Sequence, residues 1–135
     1  MKTVLVFGSF DGIHPGHEAM LKEARRHGDR LVAALAPDNV IERIKGRFPK
    51  HLFEERQDAL IASGLVDQIA TSDKENGTYN ILNRVHPDVV AFGYDQTELR
   101  ENFLKYLEKT GRKVAIVMLS PFEPEKYKSS KIQSE

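Results

Sequence analysis

Two histidines three residues apart, His14 and His17, stand in the frame His-Pro-Gly-His, one residue after Gly8-Ser9-Phe10-Asp11-Gly12. Before them runs Val4-Leu5-Val6-Phe7, four consecutive apolar residues that suit a strand buried on both faces of a parallel sheet. Pro15 fits the first position of a helix, where its missing N–H removes no bond. The histidines therefore fall at a helix N-terminus, whose outward-facing N–H groups attract anions and phosphate above all. Gly8 and Gly12 give the turn dihedrals that other residues avoid and let a ligand come close to the backbone. A strand, a glycine turn and a helix occur in many α/β proteins without a ligand, and a lone histidine near a helix start is usually a cap or a surface group. Two histidines in this frame point instead to a phosphate-bearing ligand. A metal pair is the competing reading, because spacing of three can put two imidazoles on one helix face. The chain has no cysteine to add a thiolate ligand, so no metal site is assigned.

The elements that must position these residues follow in order. A first strand is expected over Thr3 to Phe7 and a helix over Pro15 to His27, with Met20, Leu21 and Ala24 inward and Gly28 as its stop. Arg25, Arg26 and His27 then sit where cations favour the C-terminal dipole, which gives His27 a structural explanation. Leu31 to Ala36 reads as the second buried strand. Asp38 is the expected N-cap of a helix ending near Lys45, and Gly46-Arg47-Phe48-Pro49 breaks the pattern. A helix over Phe53 to Ala62 ends at Ser63-Gly64 and precedes a weaker strand, Val66 to Ala70. Thr71 to Gly77 is a polar loop. A helix over Asn80 to Val85 is ended by His86-Pro87, and Asp88 to Phe92 is the fourth strand. Leu99, Phe103, Tyr106 and Leu107 recur at helical spacing in a helix closed by Gly111. Lys113 to Leu119 is the fifth strand, Ser120 to Tyr127 a loop, and Lys128-Ser129-Ser130-Lys131-Ile132 opens a last short helix.

Strands alternating with helices imply a Rossmann-like, doubly wound α/β fold with five parallel strands in the order 3-2-1-4-5. That order sets strands 1 and 4 side by side at the switch point, where such sheets bind ligands. Gly8-Ser9 and Gly93-Tyr94-Asp95 then face each other across one crevice, although Asp95 also reads as a cap of the next helix and Tyr94 as cover for the sheet. No G-x-G-x-x-G run follows strand 1, which argues against an ordinary dinucleotide dehydrogenase.

The 135 residues are expected to form one domain, 1–135, with 20 basic and 20 acidic residues balancing to zero net charge. No general nucleic-acid or membrane-surface binder is indicated, so any basic site must be local. The absence of cysteine excludes disulfides and fits a cytoplasmic protein. The apolar run near Met1 is too short for a signal peptide, and none approaches a membrane span.

Gly8-Ser9-Phe10-Asp11-Gly12-Ile13-His14-Pro15-Gly16-His17 resembles, without a gap, the G-[ST]-F-D-x-x-H-x-G-H signature of the cytidylyltransferase-like nucleotidyltransferases. That superfamily moves a nucleoside monophosphate from ATP or CTP to a phosphate or alcohol acceptor and releases pyrophosphate. The resemblance extends from Val4 to Ile132. It implies that His14 and His17 contact the nucleotide phosphates and stabilise the transition state, with Gly8, Ser9, Phe10, Asp11 and Gly16 around the nucleotide. Lys45 looks like the lysine brought onto the phosphates, with Arg47 the neighbouring option. Phe53-Glu54-Glu55-Arg56 resembles a [YF]-E-x-R stretch whose arginine helps organise the site; the plain alternative is a solvated helix face. Gly93-Tyr94-Asp95-Gln96 resembles the G-x-D stretch that holds base, ribose or acceptor. Tyr127 to Ile132 resembles the second signature, I-S-[ST]-[ST]-x-I, whose hydroxyls bind the β- and γ-phosphates. This assigns Ser129 and Ser130, although Lys128 replaces the usual first serine.

Transfer to a phosphate acceptor needs no activated side-chain nucleophile, because the acceptor oxygen is already anionic. Catalysis is then mostly positioning and charge stabilisation, ordinarily with Mg²⁺. The motif combination looks closest to archaeal-type FAD synthases, which adenylylate FMN, and implies a homodimer. A CTP-dependent glycerol-3-phosphate cytidylyltransferase-like enzyme is the alternative. A non-catalytic nucleotide-binding module and a flavodoxin-like carrier are the readings from other classes. The carrier would not need paired histidines, and the module would not need intact phosphate ligands.

Overall fold

A computed structural model describes residues 1–74 and 78–120. Among the described residues five strands and five helices follow in the order β1 (Thr3–Gly8), α1 (Pro15–Arg25), β2 (Arg30–Leu35), α2 (Asp38–Lys45), α3 (Phe53–Ala62), β3 (Gln68–Thr71), α4 (Ile81–Val85), β4 (Val89–Phe92), α5 (Thr97–Thr110) and β5 (Ala115–Met118). The strands form one sheet in the order β3-β2-β1-β4-β5, and every neighbouring pair is parallel. This is the expected Rossmann-like topology, with β1 and β4 adjacent at the switch point. No helix among the described residues is long and apolar enough to cross a membrane.

Alternation along each strand divides the core in two. Val4, Val6, Leu31, Ala33, Leu35 and Ala91 pack with Leu21 and Ala24 of α1 and Leu60 of α3. Leu5, Phe7, Val32, Ala34, Val90 and Phe92 pack with Tyr79, with α4 and with Phe103 of α5. Burying both faces of the inner strands accounts for their unalternated apolar runs.

Register is pinned at the N-terminal edge of the sheet by three aspartates. Asp29 Oδ2 accepts from Lys2 N, Asp67 Oδ2 from Leu31 N and Asp88 Oδ2 from Thr3 N, each at 2.8 Å. These bonds satisfy strand-end donors that lie outside the ladder, and they fix where the opposite, C-terminal edge falls.

Several local expectations shift for physical reasons. α1 ends at Arg25, and Gly28 lies beyond it without the left-handed backbone of a stop. A Cβ at Gly28 would lie 2.7 Å from Lys2 O, so close passage of the β1 entry is what demands glycine there. Asp38 is not an N-cap: Pro37 holds that position, and the Asp38 carboxylate is turned to Arg56. β3 begins at Gln68 rather than Val66, because Leu65 and Val66 pack against the core and Asp67 reaches across to β2. The last expected helix, with Ser129 and Ser130, lies outside the described residues, as does part of the 71–77 loop.

The backbone hydrogen bond from Leu31, followed by the Arg25 guanidinium at 3.0 Å, outweighs partial burial and holds the Asp67 carboxyl below the usual 3.8. A group whose folded pKa is depressed contributes stability above its unfolded pKa, and that contribution is lost as pH falls through the folded value. Asp67→Asn is therefore expected to lower Tm at pH 7, and the difference from the parent to shrink as pH falls below about 4 and through the depressed folded value, where the parent carboxyl protonates too. Thermal melts of both chains from pH 7 to pH 2.5 check this; a Tm gap constant across that range would contradict it.

Candidate active site

The Gly8-to-His17 turn is built by sterics. Phe10 takes φ 48°, in the left-handed region, and its ring is buried. A Cβ at Gly8 would lie 2.7 Å from Phe10 Cε2, so glycine is what lets this ring fold back over the end of β1. The ring then meets His17 edge-on at a centroid distance of 5.3 Å.

The two histidines cap α1 reciprocally. His14 Nδ1 accepts from Gly16 N at 3.0 Å and His17 N at 3.4 Å, while His17 Nδ1 accepts from His14 N at 3.3 Å. Their rings stack with centroids 3.8 Å apart, and His17 is only 3% exposed. An Nδ1 that accepts carries no proton, so each neutral imidazole holds its N–H at Nε2. Helix-start donors are thereby satisfied, and the same bonds select one tautomer on each ring.

Two charged side chains tie this turn to the connection between α2 and α3. Buried Asp11 accepts from Lys50 N at 2.6 Å and His51 N at 2.9 Å. Arg56, 1% exposed, donates Nη1 to Ser9 O at 2.8 Å, Nε to His51 O at 3.0 Å and Nη2 to Asp38 Oδ1 at 2.7 Å. The solvated-face reading fits exposed Glu54 and Glu55 but not Arg56. Arg56 and Asp11, both expected around the nucleotide, turn their charges to the protein's own backbone. Lys45 closes α2 before Gly46 at φ 75° and places Nζ 3.3 Å from Ser9 Oγ. Arg47 is exposed.

Across the switch point, Gln96 accepts from Gly93 N at 2.8 Å and donates to Phe7 O at 2.9 Å. Its amide bridges the ends of β1 and β4. Asp95 does not cap α5, since Gln96 holds the cap position; Asp95 is exposed and Tyr94 half-buried. A Cβ at Gly93 would lie 3.2 Å from Met20 Sδ, so glycine also lets α1 pack close to this loop.

A cavity of about 910 Å³ opens between these parts on the α4/α5 face of the sheet, with Gly8, Ser9, Lys45, Asp95 and Gln96 in its wall. His14 caps α1 and Gly16 and His17 lie in its first turn, and this helix packs on the opposite face. Ser9 thus lies between the histidine-capped helix and the cavity. Tyr79, Asn102 and Asp73 also line it and were missed in the sequence. Asp73 accepts from Thr78 Oγ1, Asn80 N and Ile81 N at 2.5, 2.5 and 3.0 Å, so it caps α4 from a distance. A polar loop before an apolar helix was the available signal, and it named no partner. Among the described residues no group of three His, Cys, Asp or Glu is placed to hold a metal ion.

Comparison with known proteins matches residues 5–135 to the cytidylyltransferase-like family. The chain is 34% identical over 130 residues to the FAD synthase of Pyrococcus horikoshii, covering 96% of this chain and 88% of that one. It is 37% identical over 121 residues to the FAD synthase of Ferroglobus placidus, covering 88% and 76%. Among solved structures, a lipopolysaccharide core biosynthesis protein from Thermoplasma volcanium superposes with a TM-score of 0.81 at 29% identity, over 91% of this chain and 99% of that one. Pantothenate synthetase from Thermus thermophilus, at 17% identity and a TM-score of 0.63 over 87% and 55%, shares the fold. With the histidine-capped helix at the switch point of a 3-2-1-4-5 sheet and this likeness along nearly its whole length, the chain belongs to the cytidylyltransferase-like family and is a nucleotidyltransferase similar to FAD synthases.

Proposed function

We propose that this chain, as a single domain, transfers the adenylyl group of ATP to the phosphate of FMN, forming FAD and pyrophosphate. A phosphate oxygen of the acceptor attacks the α-phosphorus, a P–O bond forms, and the bond to the β-phosphate oxygen breaks. The observation that carries the reading is the reciprocal cap of His14 and His17. It sets two imidazoles at a helix N-terminus with Nδ1 bonded to the backbone and the proton on Nε2, an arrangement suited to phosphate oxygens, although the Nε2 atom of His17 is buried in this structure. Likeness to FAD synthases supports this choice of acceptor and nucleotide.

In this reading His14, His17 and Gly16 meet the triphosphate. Lys45 and Ser9, with Gly8 beside them, stand where donor and acceptor phosphates meet. The cavity takes the acceptor, and Gly93, Tyr94 and Asp95 border both ligands. Phe10, Asp11 and Arg56 hold the turn in place. Ser129 and Ser130 are assigned to the outer phosphates on their motif alone. Mg²⁺ is expected to arrive on the nucleotide, since magnesium is usually held by substrate phosphates and waters rather than by a protein cage. When bound, it neutralises charge on the leaving pyrophosphate. A homodimer and a cytoplasmic location complete the proposal and rest on family resemblance and composition.

Pyrophosphate release measured for ATP and CTP against FMN and glycerol 3-phosphate tests the assignment. The ATP–FMN pair is expected to show the highest kcat/KM. A preference for CTP of about tenfold or more would replace this reading with the glycerol-phosphate one.

His17→Ala is expected to lower kcat by about 100- to 1,000-fold, as loss of one transition-state donor commonly does. The lost cap bond by itself costs only about 1 kcal/mol of stability, so circular dichroism should show a folded chain. Turnover within about threefold of the parent would remove His17 from the chemistry.

Lys45→Ala should lower kcat/KM for ATP by about 10- to 100-fold, the size of a charge-assisted hydrogen bond. Arg47→Ala, at an exposed position, should stay within about twofold. The reverse pattern would transfer the role to Arg47.

A further inference from the structure

The cavity beside Ser9 has a feature that phosphate handling does not use. Val40, Ile41 and Ile44 of α2 form one apolar wall, and Leu99 of α5 stands on another. Its volume of about 910 Å³ lies within the range of pockets that enclose a drug-sized ligand, and exceeds what a three-carbon phosphate needs. Phe7, Ile81 and Tyr79 line it from the sheet and α4 side. Apolar side chains of α2 and α5 in one cavity suit a ring system with apolar faces better than a polyol.

Two oriented amides stand in the wall of this cavity: that of Gln96 is committed at both ends to Gly93 N and Phe7 O, and the other is Asn102. Tyr79 Oη donates to Asn102 Oδ1, and both residues line the cavity. Tyr79 is held on several sides: its ring packs at 5.0 Å against Phe103, 5.0 Å against Tyr106 and 6.0 Å against Phe7. Its backbone is also fixed at φ 47°, in the left-handed region. Burial, followed by the Asp73 charge, pushes its hydroxyl up to about 12, so at neutral pH it remains a donor and not a base. A fixed donor on Oδ1 fixes which end of the Asn102 amide is which. The NH₂ group is then what Asn102 offers to the cavity it lines.

We infer that Asn102, oriented by Tyr79, is a specificity-determining residue that donates from Nδ2 to a carbonyl on the edge of a planar heteroaromatic acceptor. The inference rests on the adenylylation reading above and adds to it the residue that reads the ring. Asn102 selects the acceptor's edge, and Tyr79 is its positioning residue. Neither takes part in the transfer itself. A site that hydrogen-bonds its ligand rejects an analogue lacking the partner group far more strongly than an apolar slot does.

Asn102→Asp tests this with little change of size, since a carboxylate still accepts from Tyr79 but has no NH₂. Steady-state kinetics at saturating ATP should show KM for FMN raised by about tenfold or more, with KM for ATP within about twofold. Flavin fluorescence titration of the same variant should show a matching loss of FMN binding without nucleotide. Tyr79→Phe keeps the ring packing, releases the amide, and should raise KM for FMN by about threefold with ATP again unaffected. If both variants leave KM for FMN within about twofold, or raise both KM values equally, the inference fails while the transfer reaction stands. A parent chain that adenylylates no FMN overturns the reaction assigned above, and this inference with it.

Discussion

The site depends on a buried guanidinium. Arg56 is almost wholly out of water, and an ion in that position costs several kcal/mol unless its hydrogen bonds are replaced. Three acceptors replace them: the carbonyls of Ser9 and His51 and the carboxylate of Asp38. Those acceptors come from the turn after β1, the connection before α3 and the first turn of α2, so satisfying one cation fixes three segments at once. Asp11 does the reverse with a buried anion, drawing in the amides of Lys50 and His51. Neither charge would be tolerated alone. Together they close the 46–52 connection against the glycine turn, which sets where α2 ends and so where Lys45 reaches.

The two ends of the sheet are treated differently. At the N-terminal edge, carboxylates of Asp29, Asp67 and Asp88 fix the register by bonding to backbone amides. At the C-terminal edge, the backbone itself is forced into uncommon shapes: Phe10 and Tyr79 both take positive φ without being glycine. Such conformations cost of order 1–3 kcal/mol each and persist only where packing over-determines them. Here Phe10 is buried between Gly8 and His17, and Tyr79 among three aromatic rings. His86 takes the same left-handed backbone, at φ 53°, just before β4, so this conformation occurs at both edges of the sheet.

What the sequence made legible follows from how local each signal is. Apolar runs and glycine stops are local, and they marked the five strands and the full extent of α3, while the strand order came from the alternation of strands and helices and the hand of their crossovers. The His-Pro-Gly-His frame is local too, since the cap it forms closes within four residues. The pairing of Asp38 with Arg56, 18 residues apart, is not local, and Asp38 looked like a helix cap because its neighbours gave no sign of a buried cation. The Gln96 amide is likewise tied to a partner that no local signal names: Phe7 O is 89 residues away in the chain and adjacent in space. Tyr79 and Asn102 were passed over because each makes ordinary sense in its own element, one ending a loop and one between core positions of a helix. Only the fold reveals that they share a cavity.

The cavity is also polarised, and this bears on why no general base is required. Arg43 and Lys45 enter it from α2, whereas Asp73, Asp95 and Glu98 border it from the other elements. A chain of zero net charge therefore presents a gradient across one pocket, cationic toward α2 and anionic toward the start of α5. A dianionic phosphate is drawn to the α2 side, where Ser9 and Lys45 stand, and an uncharged ring loses least by lying away from it. In the proposed complex that orientation delivers the acceptor oxygen to the Ser9 turn already ionised. Attack on an α-phosphate held beyond that turn then needs alignment and charge neutralisation only, and the reciprocal histidine cap fits that need because both of its imidazoles keep their accepting nitrogens on the backbone.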